Sequence, residues 1–273
     1  MRGGERMRLA VGGGEVIGER RGRGSPTTVF LHQGVCDRRA WDEVVALMPD
    51  WGTKVAYDLR GYGESRGSPD PFSHLGDLVD VLRQLGDGPA WLVGGSLGGG
   101  IALDCGLTEP ELCAGLILIS PAVSGAPEPM MDETTGRLSG LIDRAVAAGN
   151  LDEQSRLETW LWLDGPGQVE GRVGGAARAL AQSMNLELLR LGQAEAAGQA
   201  NRPATWGRLE EVAVPTVVAW GDLDLPFLVA RSREVSERIA GAEQRELPGL
   251  AHLPNLERPE LVARLVEDRL QAG

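Results

Sequence analysis

Residues 91–100 read "WLVGGSLGGG", an apolar run that ends in five glycines packed around one serine. A phosphate-cradling loop would need a lysine after its last glycine, and the only lysine of the chain is Lys54. A dinucleotide fingerprint would need an acidic residue closing the following strand, and that strand, "AGLILIS" (114–120), ends without one. The pattern that fits is G-x-S-x-G, as Gly94-Gly95-Ser96-Leu97-Gly98. It describes a sharp strand-to-helix turn that lifts a serine hydroxyl clear of a sheet. The glycines let strand and helix approach where a Cβ would collide.

The segments on either side alternate in texture. "TTVFLHQ" (27–33), "KVAYDLRG" (54–61), "AWLVGG" (90–95), "AGLILIS" (114–120), "VPTVVAWGD" (214–222) and "AEQRELP" (242–248) read as strands. Between them lie helical patterns. "SHLGDLVDVLRQLG" (73–86) puts Leu75, Leu78, Val79, Leu82 and Leu85 on one face, with Ser73 as N-cap and Gly86 as stop. "RRAWDEVVALMPD", the stretch after Ser96, residues 228–240 and "NLERPELVARLVEDRL" are read as further helices. "MRLAVGG" and "EVIGERRG" are expected to pair as a hairpin at the sheet edge. The alternation predicts an α/β fold, a doubly wound and mostly parallel sheet. Residues 123–205 lack a strand pattern and carry helical patches broken by Gly149, Gly165, Pro166 and Gly167. The expected division is a core of 1–122 and 206–273 with a helical insertion of 123–205.

Composition narrows the partners. The 273 residues carry 27 Lys+Arg against 39 Asp+Glu, a formal charge of −12. Such a surface repels nucleic acid and anionic membranes, so neither is expected as a partner. Three cysteines, Cys36, Cys105 and Cys113, show no metal-ligand spacing, and no metal is expected. An odd, small cysteine count suits a reducing compartment. The start, "MRGGERMRLAVGGGEV", has no apolar stretch of a signal peptide, and no run approaches the ~20 residues of a membrane span. A cytoplasmic monomer or homodimer acting on a small molecule is expected.

A serine hydroxyl needs a base, and a neutral imidazole is the usual one. The chain offers His32, at the end of a strand, His74, at the start of a helix, and His252, in "GLAHLPNLERPE". In a strand–helix fold the order is serine, acid, histidine, which leaves His252. The acid belongs in a loop after a late strand, and "VVAWGDLDLPF" supplies Asp224, past the turn glycine, with Asp222 as the alternative. The backbone amide of Leu97, directly after the serine, is placed to meet a carbonyl oxygen.

Taken together these segments resemble the α/β-hydrolase superfamily over nearly the whole chain. "FLHQGVCDRRAW" is similar to its oxyanion-loop segment, "YDLRGYGES" to its D-x-R-G-x-G-x-S turn, "GGSLGGG" to its elbow, and "GDLD" with "GLAHLPNLERPE" to its acid and histidine loops. The resemblance implies eight strands, a helical lid inserted after the sixth, and acyl transfer to water by Ser96, His252 and Asp224 without a cofactor. It implies a second oxyanion amide from Gly34, with Gln33 or Val35 as alternatives. Trp160, Trp162 and Met184, with Met130 and Met131, are candidates to line the substrate pocket. "GVCDRRAWD" is similar to enol-lactonases and haloperoxidase-type esterases, which points to a small ester or lactone. A thioester, a non-hydrolytic lyase, acyltransferase or cofactor-free oxygenase, and a ligand receptor remain open. Two departures stand out: Gly95 precedes the serine where the family often has His, and His32-Gln33-Gly34 replaces the common His-Gly.

Overall fold

The computed structural model describes residues 4–66, 71–192 and 202–272. Eight strands form one sheet: β1 (Glu5–Val11), β2 (Gly14–Arg21), β3 (Thr27–Leu31), β4 (Thr53–Tyr57), β5 (Ala90–Gly95), β6 (Cys113–Ile119), β7 (Thr216–Gly221) and β8 (Glu243–Leu247). Their spatial order is β1-β2-β4-β3-β5-β6-β7-β8. The hairpin β1–β2 is antiparallel and lies at the edge, and all pairings from β4 through β8 are parallel.

The central strands are apolar on both faces because both faces are covered. Leu92, Leu116, Leu118, Val218 and Trp220 point to one side. There they meet α2 (His74–Leu85), α3 (Leu97–Thr108) and α7 (Pro226–Arg238) through residues such as Leu78, Ile101 and Val235. Val93, Ile117, Ile119, Val217 and Ala219 point to the other, against α1 (Asp42–Leu47) and α9 (Pro259–Ala272), which supply Val44, Val45, Val262 and Val266. This period-two alternation fixes the register, since a one-residue slip would exchange the two faces.

The helix signals in the sequence act as expected at α2. The Ser73 side chain accepts from the Gly76 amide, and Gly86 closes the helix in the left-handed conformation at φ 66°. The last helical pattern divides in two. The short helix α8 (Pro254–Glu257) ends at Arg258, which leaves the helical region at φ −143° and ψ 67°, and α9 begins at Pro259. The cause is the proline ring, which disfavours helical backbone at the residue before it.

Between β6 and β7 the described residues hold helices and no strand. They are α4 (Glu133–Ala147), α5 (Leu151–Thr159), a π-helical turn (Trp160–Asp164), α6 (Gly175–Leu191) and a 3₁₀ stretch (Thr205–Glu211). Part of the expected insertion, 193–201, lies outside the described residues. Both of its described ends are tied to one buried carboxylate on α3. Asp104 accepts from Ser124 Oγ at 3.1 Å, Thr205 Oγ1 at 2.5 Å and Arg202 Nε at 2.7 Å. Buried Asp164 organises the stretch after the π turn, accepting from the Gly171 and Val173 amides at 2.9 Å and pairing with Arg178. No helix among the described residues is long and apolar enough to cross a membrane.

Candidate active site

The site lies where the parallel strands end at their carboxyl edge, the usual place for a crevice in such a sheet. Ser96 follows β5 and caps α3 with φ 48° and ψ −113°. A non-glycine residue at such angles costs about 1–3 kcal/mol and persists only when its surroundings impose it. Here the Ser96 amide donates to Ile119 O at 2.9 Å, and its carbonyl accepts from the Gly100 and Ala122 amides at 2.9 Å. A Cβ on Gly94 would strike the Gly98 backbone, and one on Gly98 would meet the Leu31 carbonyl and, at 2.7 Å, the His32 carbonyl. The glycines flanking the serine are therefore a packing requirement of the turn.

His252 sits in the loop after β8, and Asp224 in the loop after β7. The imidazole Nδ1 lies 2.8 Å from Asp224 Oδ2, and Asp224 Oδ1 accepts from the Leu225 amide at 2.7 Å. Both side chains are buried. A carboxylate on Nδ1 makes that nitrogen the donor and leaves Nε2 as a base. Asp222 is exposed and faces away from the imidazole, accepting from the Gly249 amide at 2.6 Å. It anchors the histidine loop from outside. Gly221 allows that loop to approach, since a Cβ there would meet the Leu250 carbonyl and, at 2.5 Å, the Ala251 carbonyl.

The loop after β3 forms the opposite wall. His32 Nε2 accepts from the Leu59 amide at 3.0 Å, so the proton is on Nδ1, which donates to Gln33 O at 2.8 Å. Burial lowers the pKa of His32 and keeps it neutral. It is a turn residue, which agrees with its place at a strand end. Asp58, in the loop after β4, accepts from the Arg38 and Glu64 amides at 2.8 Å and holds the Arg38 guanidinium. Arg60 of the same loop pairs with Asp77 on α2 and stacks over Phe72 at 4.2 Å.

Ser96, Leu97, Gly34 and His252 line one cavity of about 580 Å³, together with Gln33 and Val35. The amide of Leu97 belongs to the first turn of α3, whose N–H groups have no acceptor within the helix. Cys36 is not on the cavity wall. It is buried among Leu163, Ala181, Met184 and Leu253, and burial raises its thiol pKa far above the usual value.

The structure separates the three aromatic and sulfur candidates. Trp162 lines the cavity, with its ring 4.7 Å from that of His252, and its carbonyl accepts from the His252 amide at 3.2 Å. Trp160 and Met184 do not line it. Trp160 lies half-buried against the cluster that includes Leu138, Leu157 and Leu161 and donates through Nε1 to Gln168 O at 2.9 Å, while Met184, on α6, is buried in a cluster with Cys36. Two positions apart on one helical turn, residues 160 and 162 point to opposite sides. Met131 is on the wall, and Met130 is exposed.

Several wall residues have no counterpart in the motifs. Glu158 accepts from Gln154 Nε2 at 2.8 Å and from Asn185 Nδ2 at 2.7 Å, and all three line the cavity. The pair joins α5 to α6, a contact without a local sequence signal. Gln33 lies over Gly95, where an added Cβ would meet its Nε2 at 2.6 Å. Its Nε2 donates to Asn255 Oδ1 at 2.6 Å, and Asn255 Nδ2 donates to Ala40 O at 2.9 Å. The two departures noted in the sequence are thus one feature, since the glutamine fills the space that a side chain at position 95 would need.

A strained serine at the β5–α3 turn of an eight-stranded, mostly parallel sheet, lining one cavity with a carboxylate-bound histidine, defines the α/β-hydrolase class of architecture. A model of the alpha/beta hydrolase family matches residues 28–265, and the chain belongs to that family. The monoacylglycerol lipase of Rattus norvegicus is 26% identical over 262 residues, 90% of this chain and 75% of that protein. The 2-succinyl-6-hydroxy-2,4-cyclohexadiene-1-carboxylate synthase of Enterobacter sp. strain 638 is 37% identical over 116 residues, 41% of this chain and 42% of that protein. The enol-lactonase from Burkholderia xenovorans LB400 superposes with a TM-score of 0.79 at 21% identity, covering 97% of this chain and 100% of that one. At this identity the last shares the fold.

Proposed function

We propose that the protein hydrolyses small carboxylic esters or lactones through an acyl-enzyme. The observation that carries this reading is the 2.8 Å contact between His252 Nδ1 and Asp224 on the same cavity as the strained Ser96. Ser96 Oγ attacks the carbonyl carbon as His252 Nε2 takes its proton. Asp224 holds the imidazole tautomer and offsets the charge that forms on it. The amides of Leu97 and Gly34 donate to the oxyanion, each worth about 3–4 kcal/mol of barrier. His252 returns the proton to the leaving oxygen and then activates water against the acyl-enzyme. The lipase relative supports ester chemistry. Residues 123–205 are read as the lid, because α5, α6 and Trp162 form the wall opposite Ser96.

A panel of p-nitrophenyl esters, lactones and thioesters measured with wild type and Ser96→Ala tests this. The expected result is ester or lactone turnover that the variant loses by at least about a thousandfold. Equal turnover in the two proteins would overturn it. The synthase relative favours a second reading, a non-hydrolytic reaction run by the same proton transfers. It predicts no acyl-enzyme and no ester turnover above background.

A further inference from the structure

The chain is rich in arginine, and its other buried carboxylates away from the histidine are each matched to one. Asp37 meets Arg39, Asp58 meets Arg38, Asp77 meets Arg60, Asp104 meets Arg202, Asp164 meets Arg178 and Glu257 meets Arg172. Half-buried Glu158 breaks the pattern. Among the described residues no cation pairs with it, and its two oxygens receive one neutral amide donor each, from Gln154 and Asn185. Asn185 is 3% exposed, and turning its NH2 to Glu158 leaves its Oδ1 buried with no partner. A buried acceptor left in that state is costly. The orientation is forced, because the reverse would set Oδ1 against a carboxylate.

Both side chains line the cavity that holds Ser96, and half-buried Glu158 is the one that a cation in the cavity can reach. Among the described residues no lysine or arginine lines this cavity, and exposed Asp143 stands on its wall. The wall thus presents negative charge, with Leu161, Trp162 and Leu188 beside it as apolar surface. The net charge of −12 adds a long-range attraction for cations.

We propose that this cavity selects substrates carrying a protonated amine on an alkyl arm, the ammonium donating to Glu158. An ammonium has three donors, a full positive charge and no acceptor, which matches a carboxylate that only neutral amides hold. A hydroxyl supplies one donor and no charge. A carboxylate arm would lie beside Glu158 and Asp143 and is disfavoured by like charge. The assignment rests on the hydrolase reading for the bond broken, but the amine site itself can be measured without turnover.

The test compares kcat/KM for p-nitrophenyl 6-aminohexanoate, heptanoate and the half-ester of heptanedioate, with the eight-carbon homologues as a check on arm length. The expected order is ammonium, methyl, carboxylate, with ammonium ahead of methyl by about tenfold or more, as suits a hydrogen-bonded charge pair. In Glu158→Gln that ratio falls towards one. A ratio of one or less in wild type, or the same ratio in the variant, overturns the proposal. Calorimetric binding of hexylammonium against 1-hexanol to the Ser96→Ala protein decides the point without chemistry and with Glu158 intact. Preference for the ammonium supports the site even if no ester is cleaved, and equal binding refutes it even if all esters are.

Discussion

The contact between Gln33 and Gly95 yields a prediction with a worked magnitude. Gly95 is the last residue of β5, and its backbone needs no left-handed angle, so alanine is allowed there on conformational grounds. By itself the change would gain about 0.5–1 kcal/mol by restricting the unfolded chain. The added Cβ, however, falls 2.6 Å from Gln33 Nε2, 2.7 Å from its Cδ and 3.0 Å from its Cγ. Gln33 cannot swing aside cheaply, because it is fully buried and held by Asn255, which is held in turn by Ala40. Overpacking of this kind costs about 1–3 kcal/mol, so Gly95→Ala is expected to be destabilising by about 1–2 kcal/mol net. Gln33→Ala removes the obstacle and is itself costly, since Asn255 Oδ1 is left buried without its donor. In the Gln33→Ala background Gly95→Ala should be neutral or stabilising, a coupling of about 1–3 kcal/mol. Urea unfolding of the four proteins measures it. If Gly95→Ala costs the same in both backgrounds, the two residues do not share that space and the explanation for the paired departures fails.

Other expectations follow from single contacts. Asp224→Asn should lower kcat by about 10⁴-fold through the wrong imidazole tautomer, while Asp222→Asn, off the imidazole, should change it far less; the reverse ranking would remove Asp224 from the proposed triad. Asp104→Ala should cost about 3–5 kcal/mol in chemical unfolding, because it removes the buried carboxylate that Arg202, Ser124 and Thr205 share at the junction of α3 with both described ends of the helical segment; a loss under about 1 kcal/mol would count against that junction. His74 is buried with both ring nitrogens unpartnered, and burial lowers its pKa to about 3. A depressed base binds its proton only on unfolding, so its neutral state favours the fold above about pH 6.5 and that benefit is lost as pH falls towards 3. Relative to His74→Leu, wild type should therefore lose roughly 2 kcal/mol between pH 7 and pH 5, and parallel stability–pH curves would contradict the assignment.

The sheet was legible because its central strands are apolar on both faces and are separated by helical spacing, as in "AWLVGG" and "AGLILIS". The elbow was legible because close backbone approach demands glycine, and at Gly94 and Gly98 the demand is met by contacts with backbone atoms. Direction within the helical segment was less accessible. Trp160 and Trp162 point to opposite sides of one turn, and only the tertiary packing decides that it is Trp162 that meets His252 while Trp160 donates to Gln168 O. Met184 reads as apolar whether it faces a cavity or a core. Glu158 and Asn185 meet across two helices 27 positions apart, so neither periodicity nor motif spacing brings them together. Gln33 and Gly95 were each visible as departures, but their compensation is a matter of a few ångströms in space.

The central claim is that Ser96 is the nucleophile. Treatment of the native protein with a fluorophosphonate, followed by digestion and mass spectrometry, tests it most directly. The account predicts one adduct per chain, located on Ser96, absent from Ser96→Ala and formed much more slowly in His252→Ala. An adduct on another residue, or labelling of Ser96→Ala at the wild-type rate, would contradict it.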